Sequence, residues 1–268
     1  MVNKAKSSGL VYVGIGGWNF EPWRGVFYPD KLPQAKELNY AASKLTAIEI
    51  NSTYYGSQKP ETFRKWARET PDGFLFSVKA SRFSTNRRVL AEGADSIKRF
   101  LNSGVTELGD RLGPLLWQFA PTKKFDEADF RTFLELLPGK QDGLPLRHVV
   151  EVRHDSFKTK DFVALCRKQD VAIVFAADSE FPLIGDVTAD FVYARIMGTS
   201  AKEKLGYPSA TLKTWAERAK DWEKGSSPKA SMLVAPAAPK KKRDVFLFVI
   251  SGAKERNPAA AQAIIAAL

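Results

Sequence analysis

Thiols and imidazoles are scarce in this chain of 268 residues, which contains one cysteine and two histidines. Cys166 has no second cysteine for an internal disulfide, and its place in an apolar helical stripe predicts a buried structural thiol. With only His148 and His154 beside it, the chain cannot supply a zinc site built from cysteine and histidine. These absences favour a reduced, cytoplasmic protein.

Long hydrophobic runs and common catalytic motifs are also missing. No run approaches the roughly 18 apolar residues of a membrane span, and the polar start of the chain lacks the apolar region of a secretion signal. We therefore expect neither membrane insertion nor secretion. No G-x-G-x-x-G, G-x-x-x-x-G-K-[ST], G-x-S-x-G or H-E-x-x-H motif occurs, which removes the usual signatures of dinucleotide or nucleoside-triphosphate binding, serine hydrolysis and zinc proteolysis.

Acidic residues are outnumbered, because 41 Lys and Arg against 30 Asp and Glu give a net charge of +11. Residues 226–243 and residues 59–88 each contribute +5 to this excess. The first segment is rich in Ser, Ala and Pro, which predicts a disordered basic insertion. The second lies partly on a predicted helix and leaves nucleic-acid binding open.

Eight short apolar, β-branched runs alternate with stretches of helical periodicity along the chain. The predicted strands are Val11–Gly16, Ala47–Asn51, Phe74–Ala80, Gly113–Phe119, His148–Arg153, Ala172–Asp178, Phe191–Ile196 and Asp244–Ser251. This pattern predicts an α/β protein in which residues 1–268 form a single (β/α)₈ barrel of the TIM type. Residues 179–189 are too short and too rich in Pro and Gly for a helix, so we expect an irregular connection after strand six. Asn257 is the predicted N-cap of a C-terminal helix, with Pro258 in its first position.

Polar side chains gather at the predicted strand ends, where a barrel binds its ligands. They are Glu49, Asn51, Lys79, Gln118, Glu151, Arg153, Asp178, Arg195 and Ser251. Because side chains alternate along a strand, Glu49 and Glu151 face the barrel axis while Ile48 and Val150 face the helices. The charged set fits either a self-neutralising ionic lattice or a ligand site, and the joint occurrence of six ionisable groups favours the site.

We expect this mouth to bind a small anionic ligand, of phosphorylated or sugar-like type. Glu49 and Glu151 are the candidate proton-transfer residues, with Lys79 and Asp178 completing the candidate catalytic set. Candidate binding residues are Trp18, Trp23, Asn51, Tyr54, Gln118, Arg153, Arg195, Gly198 and Ser251. The loops Met197–Ser200 and Ser251–Lys254 follow strands seven and eight, where barrels often hold phosphate. We predict no cofactor; Mg²⁺ or Mn²⁺ would suit the carboxylates, but Lys79 and the arginines compete for them.

Aromatic residues cluster after the first two strands at Trp18, Trp23, Phe27, Tyr28, Tyr54 and Tyr55. These rings could stack on bases or sugars, or they could form the packing of a lid.

Three functions fit the sequence: an enzyme with hydrolase-like or isomerase-like chemistry, a barrel that binds or processes nucleic acid, and a ligand-binding barrel without catalysis.

Several motifs in order resemble the YecE-like family, a TIM-barrel family of unknown function. They are GIGGWNFEPWRGVFYPDKLP, AIEINSTYYGSQKPETFRKWARETPDGFLFSVKA, LGDRLGPLLWQF, EVRHDSF and FVYARIMG. The resemblance runs from Val11 to Leu268 and is interrupted by residues 226–243. It implies a TIM barrel whose mouth uses Trp18, Trp23, Glu49, Asn51, Tyr54, Lys79, Gln118, Glu151, Arg153, Asp178 and Arg195.

The chain departs from the family pattern at four positions of this mouth. Gly56 replaces a frequent Arg, Asn86 and Met197 replace frequent histidines, and Ser251 stands where relatives have Asn or Asp. These changes remove two imidazoles and one guanidinium from the expected mouth. If the usual chemistry of the family needs a histidine, this chain differs from its relatives in substrate or lacks their activity.

Overall fold

The computed structural model describes residues 9–226, 229 and 232–268. Its strands are β1 (Val11–Gly16), β2 (Ala47–Ile50), β3 (Leu75–Lys79), β4 (Leu112–Gln118), β5 (Lys140–Gln141), β6 (Leu144–Pro145), β7 (His148–Glu151), β8 (Ala172–Ala177), β9 (Phe191–Ile196) and β10 (Asp244–Val249). Eight of them close into a parallel barrel in the order β1, β10, β9, β8, β7, β4, β3, β2, with β1 paired to both β10 and β2. The predicted barrel is confirmed.

Helices follow most barrel strands and surround the barrel. They are α1 (Glu37–Lys44), α2 (Pro60–Arg68), α3 (Arg82–Thr85), α4 (Ala94–Leu101), α5 (Glu127–Glu135), α6 (Lys160–Lys168), α7 (Ser209–Glu223) and α8 (Asn257–Ala267). Short 3₁₀ helices occupy Glu21–Trp23, Gln34–Lys36, Ser52–Tyr54, Leu90–Gly93, Val105–Arg111, Asp155–Phe157 and Lys254–Arg256. Within the described residues, no helix has the length and hydrophobicity needed to cross a membrane.

Alternation along the strands builds two separate apolar layers. Ile48 and Val150 belong to the cluster between barrel and helices, as the sequence predicts. Phe191, Phe246 and Phe248 belong to a second cluster inside the barrel. This inner cluster fills the barrel beneath the strand ends, so the polar side chains at those ends lie above an apolar layer that excludes water.

The sequence prediction succeeds for the eight barrel strands but misses a small hairpin. Each predicted strand matches an observed one to within two residues at either end, and no helix occurs between β8 and β9. The missed pair, β5 and β6, is antiparallel and is joined by Asp142 and Gly143, which have φ values of 48° and 82°. An Asp-Gly pair with two positive φ angles is typical of a tight β-hairpin turn, so the sequence did carry the signal.

Asn257 is not an N-cap, contrary to the prediction. It is the first residue of α8, with helical φ and ψ, and Arg256 occupies the capping position. The Asn257 side chain is buried, accepts a hydrogen bond from Thr199 Oγ1 at 2.7 Å and donates one to the Ser251 carbonyl at 3.2 Å. It therefore ties the loops after β9 and β10 together.

The basic segment 226–243 is described only in part, since residues 227, 228, 230 and 231 lie outside the described residues. In the described part, the backbone N–H groups of Val234 and Ala235 donate to the buried carboxylate of Asp186. Arg243 is also buried and donates to the carbonyls of Pro239 and Lys241. The bonds to Asp186 hold Val234 and Ala235 against the connection after β8, whereas those of Arg243 lie within the segment. Disorder of the segment as a whole stays a prediction.

Candidate functional site

A buried ionic network closes the carboxyl end of the barrel interior. Arg195, on β9, donates from Nη2 to Glu49 Oε1 at 2.9 Å and from Nη1 to Glu151 Oε2. Both carboxylates are fully buried, and Arg195 is 4% exposed. One guanidinium therefore joins β2, β7 and β9 across the barrel, a pairing that buried charges require.

The two glutamates accept further hydrogen bonds inside the protein. Tyr193 Oη donates to Glu49 Oε2 at 2.7 Å, and Gln118 Nε2 donates to Glu151 Oε2 at 2.7 Å. Arg153 donates to Glu151 Oε1 from Nε at 3.2 Å and from Nη2 at 3.0 Å. Each carboxylate thus has both oxygens bonded inside the protein, as buried charged groups need.

The ionic network sets the charge state of Glu151. Burial by itself opposes ionisation, but the positive charges of Arg195 and Arg153 and the Gln118 hydrogen bond outweigh it and hold the pKa of Glu151 below its ordinary value. Glu151 is therefore a carboxylate at neutral pH. A carboxylate held this way is a weak proton acceptor, because protonation would break its ion pairs.

An open cavity of about 440 Å³ lies over this network. It is lined by Gly16, Gly17, Trp18, Asn19, Phe20, Ile50, Asn51, Ser52, Tyr55, Lys79, Arg195, Ile250, Ser251, Lys254 and Asn257. The volume falls within the range of sites for small molecules. Among the described residues that line it are three cations and no carboxylate.

Lys79 is the cation at the end of β3. Its side chain is 7% exposed and its Nζ lies 4.1 Å from the centroid of the Tyr54 ring. Among the described residues, its ammonium has neither a hydrogen bond nor an ion pair. Burial and the nearby charge of Arg195 lower the pKa of Lys79 to about 8, so this side chain titrates close to neutral pH.

Lys254 lies in the loop after β10 and has similar surroundings. Its Nζ is 4.2 Å from the centroid of the Phe20 ring and 5.6 Å from that of Trp23. Burial lowers the pKa of Lys254 below its ordinary value. Two lysines on aromatic rings thus face one cavity, and such rings stabilise a cation without neutralising its charge.

The predicted site residues divide into three groups. Trp18, Asn51, Lys79, Arg195 and Ser251 line the cavity. Glu49, Gln118, Glu151 and Arg153 form the network beneath it. Trp23 and Tyr54 lie under the two lysines and are not among the lining residues, with the Trp23 indole N–H donating to the Lys254 carbonyl at 2.9 Å.

Asp178 and Gly198 lie together but do not line the cavity. The Tyr207 hydroxyl donates to Asp178 Oδ2 at 2.9 Å and accepts from the Gly198 N–H at 2.7 Å. The contact is so close that a Cβ on Gly198 would lie 2.6 Å from that of Asp178. This triad joins the loops after β8 and β9, so the geometry favours a structural role for both predicted residues.

The two loops that the sequence predicts to bind an anion are hydrogen-bonded to each other, so they do not flank an open gap. The Ala253 N–H donates to the Thr199 carbonyl at 2.8 Å, and a Cβ on Gly252 would lie 2.6 Å from that same carbonyl. Some of the backbone donors that would bind phosphate are therefore already used. An anion in the cavity would contact side-chain cations rather than a set of backbone N–H groups.

Sequence reasoning did not single out the side chains of Lys254, Tyr193 and Ser77, and it gave Asn257 a different role, that of an N-cap. Tyr193 and Ser77 stand two residues before Arg195 and Lys79, so strand alternation would have placed them inside the barrel. The Tyr193 hydroxyl lies 2.8 Å from Ser77 Oγ and extends the network to β3. No comparable pattern marked the side chain of Lys254, which follows the last strand in a short 3₁₀ helix.

The carboxylates do not assemble into a metal centre in the part of the chain that the structure describes. No group of three or more His, Cys, Asp or Glu side chains with a suitable arrangement occurs there. Arg195 binds both Glu49 and Glu151, whereas Lys79, which the sequence also names as a competitor for these carboxylates, has no described ion pair with either.

Comparison with known proteins places this architecture in a family. A family model described as "Protein of unknown function DUF72" matches residues 12–268. The chain belongs to the DUF72 family. Similar curated proteins are UPF0759 protein YecE of Escherichia coli strain K12, 27% identical over 154 residues, and UPF0759 protein YunF of Bacillus subtilis, 27% identical over 117 residues. These matches cover 56% and 42% of this chain and 51% and 40% of the relatives, so the chain spans about half or less of each relative's length.

Solved DUF72 structures share the fold. A family member from Thermotoga maritima superposes with a TM-score of 0.68 at 24% identity, covering 96% of this chain and 97% of the other. A member from Enterococcus faecalis gives a TM-score of 0.66 at 16% identity, covering 96% and 93%. SacUVDE, at 10% identity, has a TM-score of 0.54 and covers 96% and 97%. The likeness at these identities is one of fold.

The four positions at which the sequence analysis expects a departure from the family pattern have different surroundings. Asn86 donates to the Tyr54 hydroxyl at 3.1 Å and so supports the ring beneath Lys79. Met197 packs into the apolar cluster inside the barrel, and Ser251 lines the cavity with a φ of 58°. Gly56 is exposed, with open space where a side chain would project. A histidine at position 197 would place an imidazole where Met197 makes apolar contacts.

Replacing Arg195 with Leu should destabilise the protein most strongly at neutral pH. The change leaves Glu49 and Glu151 buried without their shared partner, which costs about 3–5 kcal/mol of unfolding free energy at pH 7. Arg153 and Gln118 still bond Glu151 in the variant, but with Arg195 gone the pKa of Glu151 is higher than in the unaltered protein, so the loss of stability should be smaller at pH 5 than at pH 7. In the unaltered protein, the lowered pKa of Glu151 stabilises the fold at pH values above 4.5, the ordinary pKa of this side chain. This stabilisation is lost as the pH falls through the pKa that Glu151 has in the folded protein.

Urea unfolding of both proteins at pH 5 and pH 7 measures this difference. Arg131→Leu is the matched control, since Arg131 pairs with Glu127 on the surface of α5 and such pairs contribute about 1 kcal/mol or less. Equal losses for Arg195→Leu and Arg131→Leu would contradict the buried network.

Proposed function

We propose that this DUF72 protein is an enzyme that acts on a small anionic substrate in the cavity at the carboxyl end of the barrel. The observation that carries the proposal is the lining itself, in which Lys79, Arg195 and Lys254 face the cavity and no described carboxylate does. A cavity lined by cations attracts anions and raises their local concentration. Trp18, Phe20 and Tyr55 supply an aromatic wall for the rest of the substrate.

The charge balance supports an anionic ligand. Glu49 and Glu151 neutralise Arg195 and Arg153 within the buried network. The charges of Lys79 and Lys254 then remain available to the cavity. Because both ammonium groups are desolvated by burial, a bound anion would restore the electrostatic stabilisation that they lost with water.

The geometry favours a division of roles among the predicted catalytic residues. Glu49, Glu151 and Gln118 would act as positioning residues that orient Arg195, and Asn51 and Ser251 would orient the ligand. Lys79 is the group best suited to proton transfer, because its pKa of about 8 lies near physiological pH. A barrel that binds the same ligand without turnover would use the same cavity, and the two functions differ only in whether substrate is consumed.

Sulfate binding tests the anion site and the role of Lys79 together. Binding should weaken about tenfold from pH 7 to pH 9, because the protonated fraction of a group with a pKa of about 8 falls about tenfold over this range. Sulfate keeps its own charge throughout, as do Arg195, with its raised pKa, and Glu151, with its lowered one. Calorimetric titration at constant ionic strength gives the dissociation constants.

Two variants of Lys79 and one control make this test specific. Lys79→Arg should bind sulfate at both pH values with most of the pH dependence removed, and Lys79→Met should bind weakly at both. Lys254→Met reports any separate contribution of the second lysine. Lys123→Met, which removes a cation paired with Asp129 outside the cavity lining, should match the unaltered protein. Unchanged binding and unchanged pH dependence in Lys79→Met would refute the anion site.

Nucleic-acid binding is a second candidate, favoured by two exposed aromatic residues near the mouth. Tyr55 and Phe83 are 69% and 61% exposed in the segments after β2 and β3, and the Arg82 guanidinium lies 5.4 Å from the Phe83 ring centroid. Exposed rings beside cations can stack on bases. Part of the surrounding charge is internally paired, however, as Arg64 is with Glu107 and Lys65 with Glu69.

Electrophoretic retardation of single-stranded DNA and RNA at low salt tests this second candidate. Binding should weaken steeply as salt rises, and should also weaken in Phe83→Ala and when the exposed Lys240, Lys241 and Lys242 are replaced by Ala, because stacking and positive charge would be reduced. Sulfate binding in the cavity should survive both changes. No retardation at any salt concentration would dismiss the candidate.

A further inference from the structure

Lys79 has the surroundings of an amine nucleophile rather than those of a structural ion pair. Its Nζ has no described hydrogen-bond acceptor, and the side chain is 7% exposed and lines the 440 Å³ cavity. Buried lysines are usually paired, so a lysine left unpaired at a cavity wall is unusual. Desolvation beside a second cation is the way in which proteins make lysine a nucleophile.

The second cation is Arg195, and its position is fixed. Its terminal nitrogens are held by Glu49 and Glu151, so it cannot turn away from β3 when the cavity fills. Glu49, Glu151 and Arg153 are the other charged groups that act on Lys79. The arginines neutralise both glutamates, which prevents either carboxylate from capturing the lysine as an ion pair.

The Tyr54 ring controls the direction in which the amine can react. Lys79 Nζ lies 4.1 Å from its centroid, and the ring is held by a hydrogen bond from Asn86 to its hydroxyl. The face of the amine toward the ring is therefore blocked. The remaining approach is from the cavity, where Trp18, Asn51 and Ser251 are also part of the lining.

The same cavity offers a place for the anionic end of a substrate. Lys254 belongs to the loop after β10, whereas Lys79 ends β3, and both line the cavity. A carboxylate or phosphate held by Lys254 would leave the adjoining part of a short molecule within the cavity that Lys79 faces.

We propose that Lys79 forms an imine with a carbonyl compound that carries a carboxylate or a phosphate. This inference rests on the proposed function and names its substrate class. The neutral amine attacks the carbonyl carbon, the C–N bond forms, and the nitrogen proton passes to the carbonyl oxygen to give a carbinolamine. The C–O bond then breaks, the oxygen leaves as water after taking up a proton, and a protonated imine remains. No oxidant or reductant is consumed.

Hydroxyl groups on the cavity wall can carry the protons that this step moves. Ser251 and Tyr55 both line the cavity, and hydroxyls can donate and accept a proton at the same time. Once formed, the cationic imine withdraws electrons from the neighbouring carbon. It thereby supports proton removal or carbon–carbon cleavage beside the former carbonyl.

Trapping with sodium cyanoborohydride tests the inference on the intact protein. Pyruvate is the carboxylate probe and glycolaldehyde phosphate the phosphate probe, and intact mass followed by peptide mapping locates the adduct. We expect one reduced adduct on Lys79, formed at least tenfold faster than on any other lysine. Whichever probe labels faster identifies the preferred anion. Lys79→Met should lose the adduct, and Lys123→Met should keep it.

The outcomes separate this inference from the proposed function. Labelling spread evenly over surface lysines, or confined to Lys254, overturns it, and peptide mapping of the unaltered protein gives that answer even if Lys79→Met does not fold. Sulfate that binds in the cavity without any adduct on Lys79 would leave the anion site standing and refute the imine. Absence of both sulfate binding and adduct would refute both proposals. Because sulfate and the probe would occupy the same cavity, sulfate should slow the labelling of Lys79 at least fivefold.

Discussion

The pairing of one arginine with two glutamates constrains the whole mouth of this barrel. Arg195 joins Glu49 on β2 to Glu151 on β7, and all three side chains are buried. Removing any one of them would leave an uncompensated charge in the interior, so the network and barrel closure depend on each other. The apolar cluster inside the barrel excludes water from below, which strengthens every electrostatic interaction at this level.

This arrangement gives the cavity its chemical character. With their oxygens bonded inside the protein, the glutamates neutralise the arginines and leave Lys79 and Lys254 without carboxylate partners among the described residues. Aromatic rings support both lysines in place of counterions. The cavity is therefore suited to anions, and its lowest cationic pKa value, about 8 at Lys79, lies where a change in protonation can serve catalysis.

The sequence predicts the fold and the chemical composition of the mouth, but not its pairing. Strand alternation places Glu49, Glu151 and Arg195 inside the barrel, yet no spacing rule states that one arginine binds both glutamates across the interior. Asp178 and Gly198 were included in the predicted site because they lie at strand ends, whereas the Tyr207 hydroxyl, nine residues after Gly198, bonds to both of them. Lys254 lies in a loop that the sequence predicts to bind an anion, but its side chain has no periodic signature, and its surroundings depend on the rings of Phe20 and Trp23. The sequence shows which residue types lie at the strand ends, but the long-range contacts between them can be seen only in the folded structure.

Direct titration of Lys79 by NMR tests the central claim, which is that Arg195 occupies both glutamates and leaves this lysine desolvated and unpaired at the cavity wall. The ¹³Cε and ¹⁵Nζ resonances, assigned by their loss in Lys79→Arg, would be followed across the alkaline range without added anions. We expect a midpoint near pH 8. A midpoint at the ordinary lysine value of about 10.4 would contradict it, because the amine would then be solvated or paired with a carboxylate.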